Sequence, residues 1–267
     1  MKIITTFLVS IFAFTAFAQE KPEAKKARQD AIIKEHLEEC AYEYNYIVNM
    51  SKWQECIDNG LKKDSTIAYL WQQKAMPLFK ARKYEAGMIF LDKAVKYDKK
   101  GWLPYRAFIK CIFAKTYKEA IVDFEESKKI FGNTYEMDHT YDFYIALSYL
   151  QLNDFKKAEE VFKRNFDEIK KNQGEDAFHH LDLFYYGISK YEQNKFEEAI
   201  VEFDKALAKY PEFSEVEFYK AFTLMKLGKT DLAEKLMEKA KSDYEKGYKI
   251  NEDNAIYEQY PYQLTIK

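Results

Sequence analysis

The sequence predicts an all-α protein, an α-solenoid of about five to six helical hairpins with a long N-terminal helix and an aromatic C-terminal tail. Three observations predict it. Gly occurs 8 times and Pro 5 times in 267 residues, so the chain has few breakers and long helices. Small and large apolar residues recur together at a regular interval, the mark of stacked helical pairs. The 22 Tyr and 21 Phe supply either thick packing between helices or an aromatic-lined surface.

The N-terminus reads as a leader rather than as part of the fold. Lys2 gives a positive start, residues 3–17 are mostly apolar, and Ala16-Phe17-Ala18 is a small-x-small cleavage signal. The run is short for a membrane span, and the following Glu20-Lys21-Pro22-Glu23 is polar. Cleavage after Ala18 is expected, with an uncleaved anchor as the alternative. No Cys lies near the cleavage point, which argues against lipoprotein attachment. The Gln that follows Ala-Phe-Ala and the composition rich in Lys, Tyr, Phe and Ile resemble those of exported Bacteroidota proteins. That resemblance implies a periplasmic or secreted location. Residues 19–30 read as a polar segment, residues 31–247 as the repeat domain and residues 248–267 as the tail.

Lys195-Phe196-Glu197-Glu198-Ala199 aligns with Lys229-Thr230-Asp231-Leu232-Ala233, which sets a constant offset between two copies. At that offset Phe203 falls on Met237, Ala206 on Ala240, and Gly187 on Ala221. Weaker copies precede them around Ala158, Ala120, Gly87 and Cys56. The longer spacings imply extended helices or loops near residues 131–137 and 170–177. The array resembles the tetratricopeptide repeat, whose period is about 34 residues. In each hairpin the first helix carries a small residue (Ala75, Ala146, Gly187, Ala221) facing one on the second (Gly87, Ala158, Ala199, Ala233), so the axes approach closely. Pro77 should kink its helix, and Asn165 stands where a small residue is usual.

The resemblance implies that the first helices line a concave groove that binds peptides. Carried onto this chain, the groove is Tyr69, Phe79, Trp102, Tyr105, Ile109, Phe143, Leu147, Phe184, Tyr191, Phe218 and Phe222. It is apolar and aromatic, with Gln72 and Met76 where a carboxylate clamp needs polar and cationic groups, so an acidic peptide terminus is not its ligand. An apolar stripe of that length calls for a cover. A partner protein or peptide, a second copy of the chain, or the chain's own tail could supply it. In the tail, Tyr257, Tyr260, Tyr262 and Leu264 could pack back onto the array; a plain cap with a frayed end is the alternative.

The remaining chemistry is sparse. With 42 Lys and Arg against 44 Asp and Glu, the chain has no basic excess for nucleic acid. It has no P-loop, G-x-S-x-G, H-E-x-x-H or G-x-G-x-x-G, so no enzyme activity and no cofactor are expected. His179 and His180 lie among acidic residues, but neighbours on a helix diverge by about 100°, so no metal site is expected there. Cys40 and Cys56 lie at similar distances from a turn and could bridge or stay as buried thiols, while Cys111 is left over. The expected function is an interaction scaffold for a protein or peptide in the bacterial envelope. The alternative is a carrier of an apolar small molecule in the same groove.

Overall fold

The computed structural model describes residues 21–265, and the leader expected over residues 1–18 lies outside them. Among the described residues there are twelve α-helices, in six successive pairs. The pairs are α1 (Pro22–Ile33) with α2 (Met50–Lys63), α3 (Ala68–Lys80) with α4 (Tyr84–Tyr97), and α5 (Lys99–Phe108) with α6 (Tyr117–Phe131). They continue with α7 (Tyr141–Gln151) and α8 (Phe155–Gln173), α9 (His180–Tyr191) and α10 (Phe196–Lys209), and α11 (Ser214–Lys226) and α12 (Thr230–Glu245). Each pair packs internally and against the next, as a solenoid requires. No described helix is long and apolar enough to cross a membrane.

The first helix begins inside residues 19–30, the stretch that composition reads as a polar segment ahead of the repeat domain. Pro22 occupies its first turn, where a missing N–H costs nothing, and Glu23 adds negative charge at the positive end. The helix continues into a π-turn at Lys34–Glu38. Cys40 and Cys56 are joined in a disulfide, with Cα atoms 5.8 Å apart, which ties the loop after α1 to α2. Cys111 is a buried free thiol.

Pro77 lies within α3 without ending it. Proline cannot bond the carbonyl four residues back. That carbonyl, Gln73 O, instead accepts from the Trp53 indole at 3.1 Å, and Gln54 Nε2 donates to Lys74 O at 2.9 Å. The break in the helix ladder thus becomes a joint between the first two hairpins.

The turns inside the hairpins share one device. Arg82, Lys115, Asn153, Asn194 and Gly228 each have positive φ, and each lies two residues before its second helix begins. Only Asn and Gly adopt that conformation readily, so Arg82 and Lys115 are strained. The long intervals come from a two-stranded ribbon, β1 (Tyr135–Glu136) with β2 (His139–Thr140), and from the 19 residues of α8.

Close helix approach is visible at two glycines. A Cβ on Gly87 would lie 2.5 Å from the Phe79 ring, and one on Gly187 would lie 2.5 Å from the Phe203 ring. Buried carboxylates tie together the two helices of a hairpin. Asp123 receives both Nε (2.8 Å) and Nη2 (2.9 Å) of Arg106, and Asp142 receives the same two groups of Arg164 at 2.9 and 2.8 Å. Asn165, the departure from the small-residue pattern, is buried and accepts from Thr140 Oγ1 at 2.8 Å and Asn133 Nδ2 at 3.2 Å. Its size is offset by these bonds, which anchor the β ribbon. Ala199 is fully buried beside the crowded Gly187–Phe203 contact. Ala199→Leu is therefore expected to cost about 1–3 kcal/mol, read as a lower melting temperature, and an unchanged value would contradict the packing register.

Candidate functional site: the first-helix face and its cover

The groove residues carried over from the repeat pattern divide into two sets. Phe79, Ile109, Phe143, Leu147, Phe184 and Phe218 are buried. Tyr69, Trp102, Tyr105, Tyr191 and Phe222 are half-buried. The half-buried set lies toward the two ends. Tyr69 stacks on Trp102 with centroids 6.0 Å apart, and Trp102 meets Tyr105 edge-on at 6.0 Å. This cluster extends through Tyr42, whose hydroxyl lies 3.4 Å from that of Tyr69, to Trp53 and Tyr46. Tyr42, Tyr44, Tyr46, Trp53 and Met76 line an open hollow of about 600 Å³ there. At the other end Tyr191 and Phe222 flank Tyr219.

Between the ends lies the chain's own tail. It leaves α12 at Gly247, whose φ of +89° suits glycine. Tyr248 O accepts from Ser214 N at 3.0 Å, and Ile250 N donates to Glu215 Oε2 at 3.1 Å, which ties the tail to the start of α11. Ile250 is buried. Glu252 then reaches His139, Oε1 to Nε2 at 3.4 Å. A short 3-10 turn at Asp253–Ile256 carries the chain to the N-terminal hairpins. There Arg82 Nε donates to Tyr257 O at 3.1 Å, and Lys80 Nζ lies 4.5 Å above the Tyr257 ring. Glu258 is buried, accepts from the Tyr84 hydroxyl, and pairs with Lys115 Nζ at 2.6 Å. The chain then turns back. Tyr260 is buried, Pro261 O accepts from the Tyr185 hydroxyl at 2.8 Å, and Tyr262 packs edge-on against Tyr219 at 5.9 Å.

The electrostatics match this path. Burial alone would raise the Glu258 carboxyl, but the bonds from Lys115 and Tyr84 hold it below its usual value. Burial would likewise lower His139, yet Asp182, with Oδ1 2.7 Å from Nδ1, and then Glu252 outweigh it and raise the ring to about 9. The His139 ring thus sits between two carboxylates, one from the array and one from the tail. Glu215 is different: burial pushes it up to about 7, and its Oε1 has no hydrogen-bond partner. Its other oxygen serves the tail.

The sequence points to the tail tyrosines but not to Lys80, Tyr185, Tyr219, His139, Arg82 and Lys115 as the tail's partners. No periodic signal marks those residues. The two glutamates of the tail were the available hint, because each required a cation to be buried.

The family model of the tetratricopeptide repeat matches residues 190–247. No curated protein matches the chain. A tetratricopeptide repeat protein from Parabacteroides merdae superposes with a TM-score of 0.62 at 14% identity, over 81% of this chain and 80% of that one. MamA from Desulfovibrio magneticus RS-1 gives 0.56 at 14% identity, over 67% of this chain and 96% of that one. YrrB, described as a tetratricopeptide repeat protein with an unusual peptide-binding site, gives 0.50 at 17% identity, over 71% and 93%. At these identities the likeness speaks to the fold. Residues 190–247 carry the tetratricopeptide repeat signature, and the chain as a whole has the all-α solenoid fold of that repeat.

Proposed function

We propose that the chain is a protein–protein interaction scaffold whose first-helix groove takes an extended peptide, and that its own tail is the resident occupant. The observation that carries this reading is the tail itself. An acidic and aromatic segment lies along the array through main-chain bonds at Tyr248, Ile250, Tyr257 and Pro261 and side-chain bonds at Glu252 and Glu258. A surface that holds one such segment in cis has the chemistry to hold another in trans. The peptide-binding site named for YrrB, a neighbour in fold, agrees with this use.

Tethering sets the terms of exchange. A short linker presents its segment at an effective concentration of about 1 mM. A partner at about 1 μM must then bind about 1,000-fold more tightly than the free tail peptide to hold half of the sites. The scaffold therefore selects for partners that add contacts beyond the tail's path, and the half-buried Tyr69, Trp102 and Tyr105 lie beyond it. The open hollow lined by Tyr42, Tyr44, Tyr46, Trp53 and Met76 is what favours the second reading, a carrier of an apolar small molecule. A ligand retained through purification at that hollow would favour the carrier.

The location belongs to the same proposal: export to the periplasm or beyond, as in Bacteroidota. The Cys40–Cys56 disulfide supports it, because such bonds persist in oxidising compartments.

Two measurements test the reading. A labelled peptide of residues 248–265 should bind the chain truncated after Gly247 at least about tenfold more tightly than the full chain. Equal affinity, or no binding to a truncated chain that is helical by circular dichroism, would contradict it. Intact mass of the exported form should begin at Gln19, and retention of residues 1–18 would overturn the cleavage.

A further inference from the structure

We infer that His139, His179 and Asp182 form a binding site for one divalent transition-metal ion of the zinc class, with Glu252 of the tail steadying the His139 ring. Their ligand atoms all lie within 4.8 Å of one another. Zinc bonds to nitrogen and oxygen are about 2.0–2.2 Å, so tetrahedral ligands lie a little over 3 Å apart, and side-chain adjustments of about 1 Å close the site. Two imidazoles and one carboxylate are the borderline nitrogen and oxygen donors that such ions select.

The site is built rather than accidental. His139 is the first residue of β2 and its ring stacks on Phe143 with centroids 3.8 Å apart, while the His179 ring stands edge-on to it at 4.8 Å. Asp182 lies in the first turn of α9 and His179 is that helix's N-cap, so both are held by one rigid element. His139 and Asp182 are buried, where a charge needs a partner or a metal. The contacts around them have the form of an outer shell. Asp182 Oδ2 is 3.5 Å from Asn165 Nδ2, and Glu252 Oε1 is 3.4 Å from His139 Nε2. A metal-bound histidine usually gives its other ring N–H to a carboxylate in this way. In the metal-free chain the hydrogen bond between His139 Nδ1 and Asp182 Oδ1, 2.7 Å long, bridges the same two groups that the ion would join. His180 is not among the three: its ring touches that of His179 but is turned toward Tyr210 and Phe213, at 5.3 and 5.4 Å. His179 precedes α9 with an extended backbone, so its ring and that of His180 do not diverge as helical neighbours would but lie 4.1 Å apart, and the second imidazole of the site comes from His139 of the β ribbon.

The consequence reaches the tail. An ion that fixes His139 also fixes the ring that receives Glu252, so metal strengthens the closure of the groove. The three ligands all belong to the array, so the site itself does not depend on whether a partner peptide displaces the tail.

The test is titration of the metal-free full chain with zinc chloride by calorimetry and with cobalt chloride by visible absorption. One equivalent should bind, cobalt should give the intense absorption of a four-coordinate site, and the melting temperature should rise by about 5–10 °C at a zinc concentration about 100 times Kd. His179→Ala should lose binding, His180→Gln should retain it, and Glu252→Gln should weaken it about 10–100-fold. Circular dichroism checks that each variant is folded, and the cobalt spectrum of the unaltered chain needs no variant at all. No saturable binding to the unaltered chain, or equal binding by His179→Ala, would overturn the site.

Discussion

The structure depends on covering the face made by the first helices. A stack of helical hairpins buries its second helices against neighbouring units but leaves one side of every first helix without a partner. Here that side is rich in Phe and Tyr, and an apolar surface of such extent in water is unfavourable by about 25 cal/mol for each Å² left open. The tail supplies the missing layer. It buries Ile250, Glu258 and Tyr260 against the array, and it does so through polar contacts as much as apolar ones. Glu215, His139, Lys80, Arg82, Lys115 and Tyr185 meet it in turn along the stack.

Those polar contacts explain why the tail takes one path. Apolar packing is tolerant of register, whereas a buried carboxylate without its cation is costly. Glu258 has a buried position that Lys115 and Tyr84 satisfy together, and Glu252 meets the His139 ring. The array side is arranged to match. Asn165 joins the β ribbon to α8, the ribbon places His139, and His139 is held by Asp182 of α9. A chain of hydrogen bonds thus links successive hairpins to the tail. At the other end the Cys40–Cys56 disulfide closes the first hairpin and the Trp53–Gln73 bond holds it on the second, where the open aromatic hollow lies.

Much of this was legible in the sequence. The regular period gave the hairpins, the scarcity of Gly and Pro gave their length, and the departures near residues 131–137 and 170–177 marked the ribbon and the long α8. The tail's tyrosines were visible as too dense for a frayed end. What could not be read was pairing across distance. Nothing near Glu258 in sequence indicates Lys115 or Tyr84, and nothing near His179 indicates His139. The repeat pattern also fixes which face a residue occupies but not how deep it lies. Phe79, Phe143 and Phe184 share a face with Tyr69 and Trp102, yet they are buried beneath it. Pro77 was legible as a helix fault, and only the Trp53 indole shows how the fault is repaired.

The central claim is that the tail is part of the folded array and rests on its first-helix face. Hydrogen exchange of the full chain, read residue by residue, tests it most directly. The amide of Ile250, which donates to a buried Glu215 oxygen, should be protected to nearly the same degree as those of α11, and residues 257–262 should exchange far more slowly than an unstructured segment. Exchange of residues 250–262 at the rate of a free peptide, beside protected helices, would show that the groove is open and contradict the account.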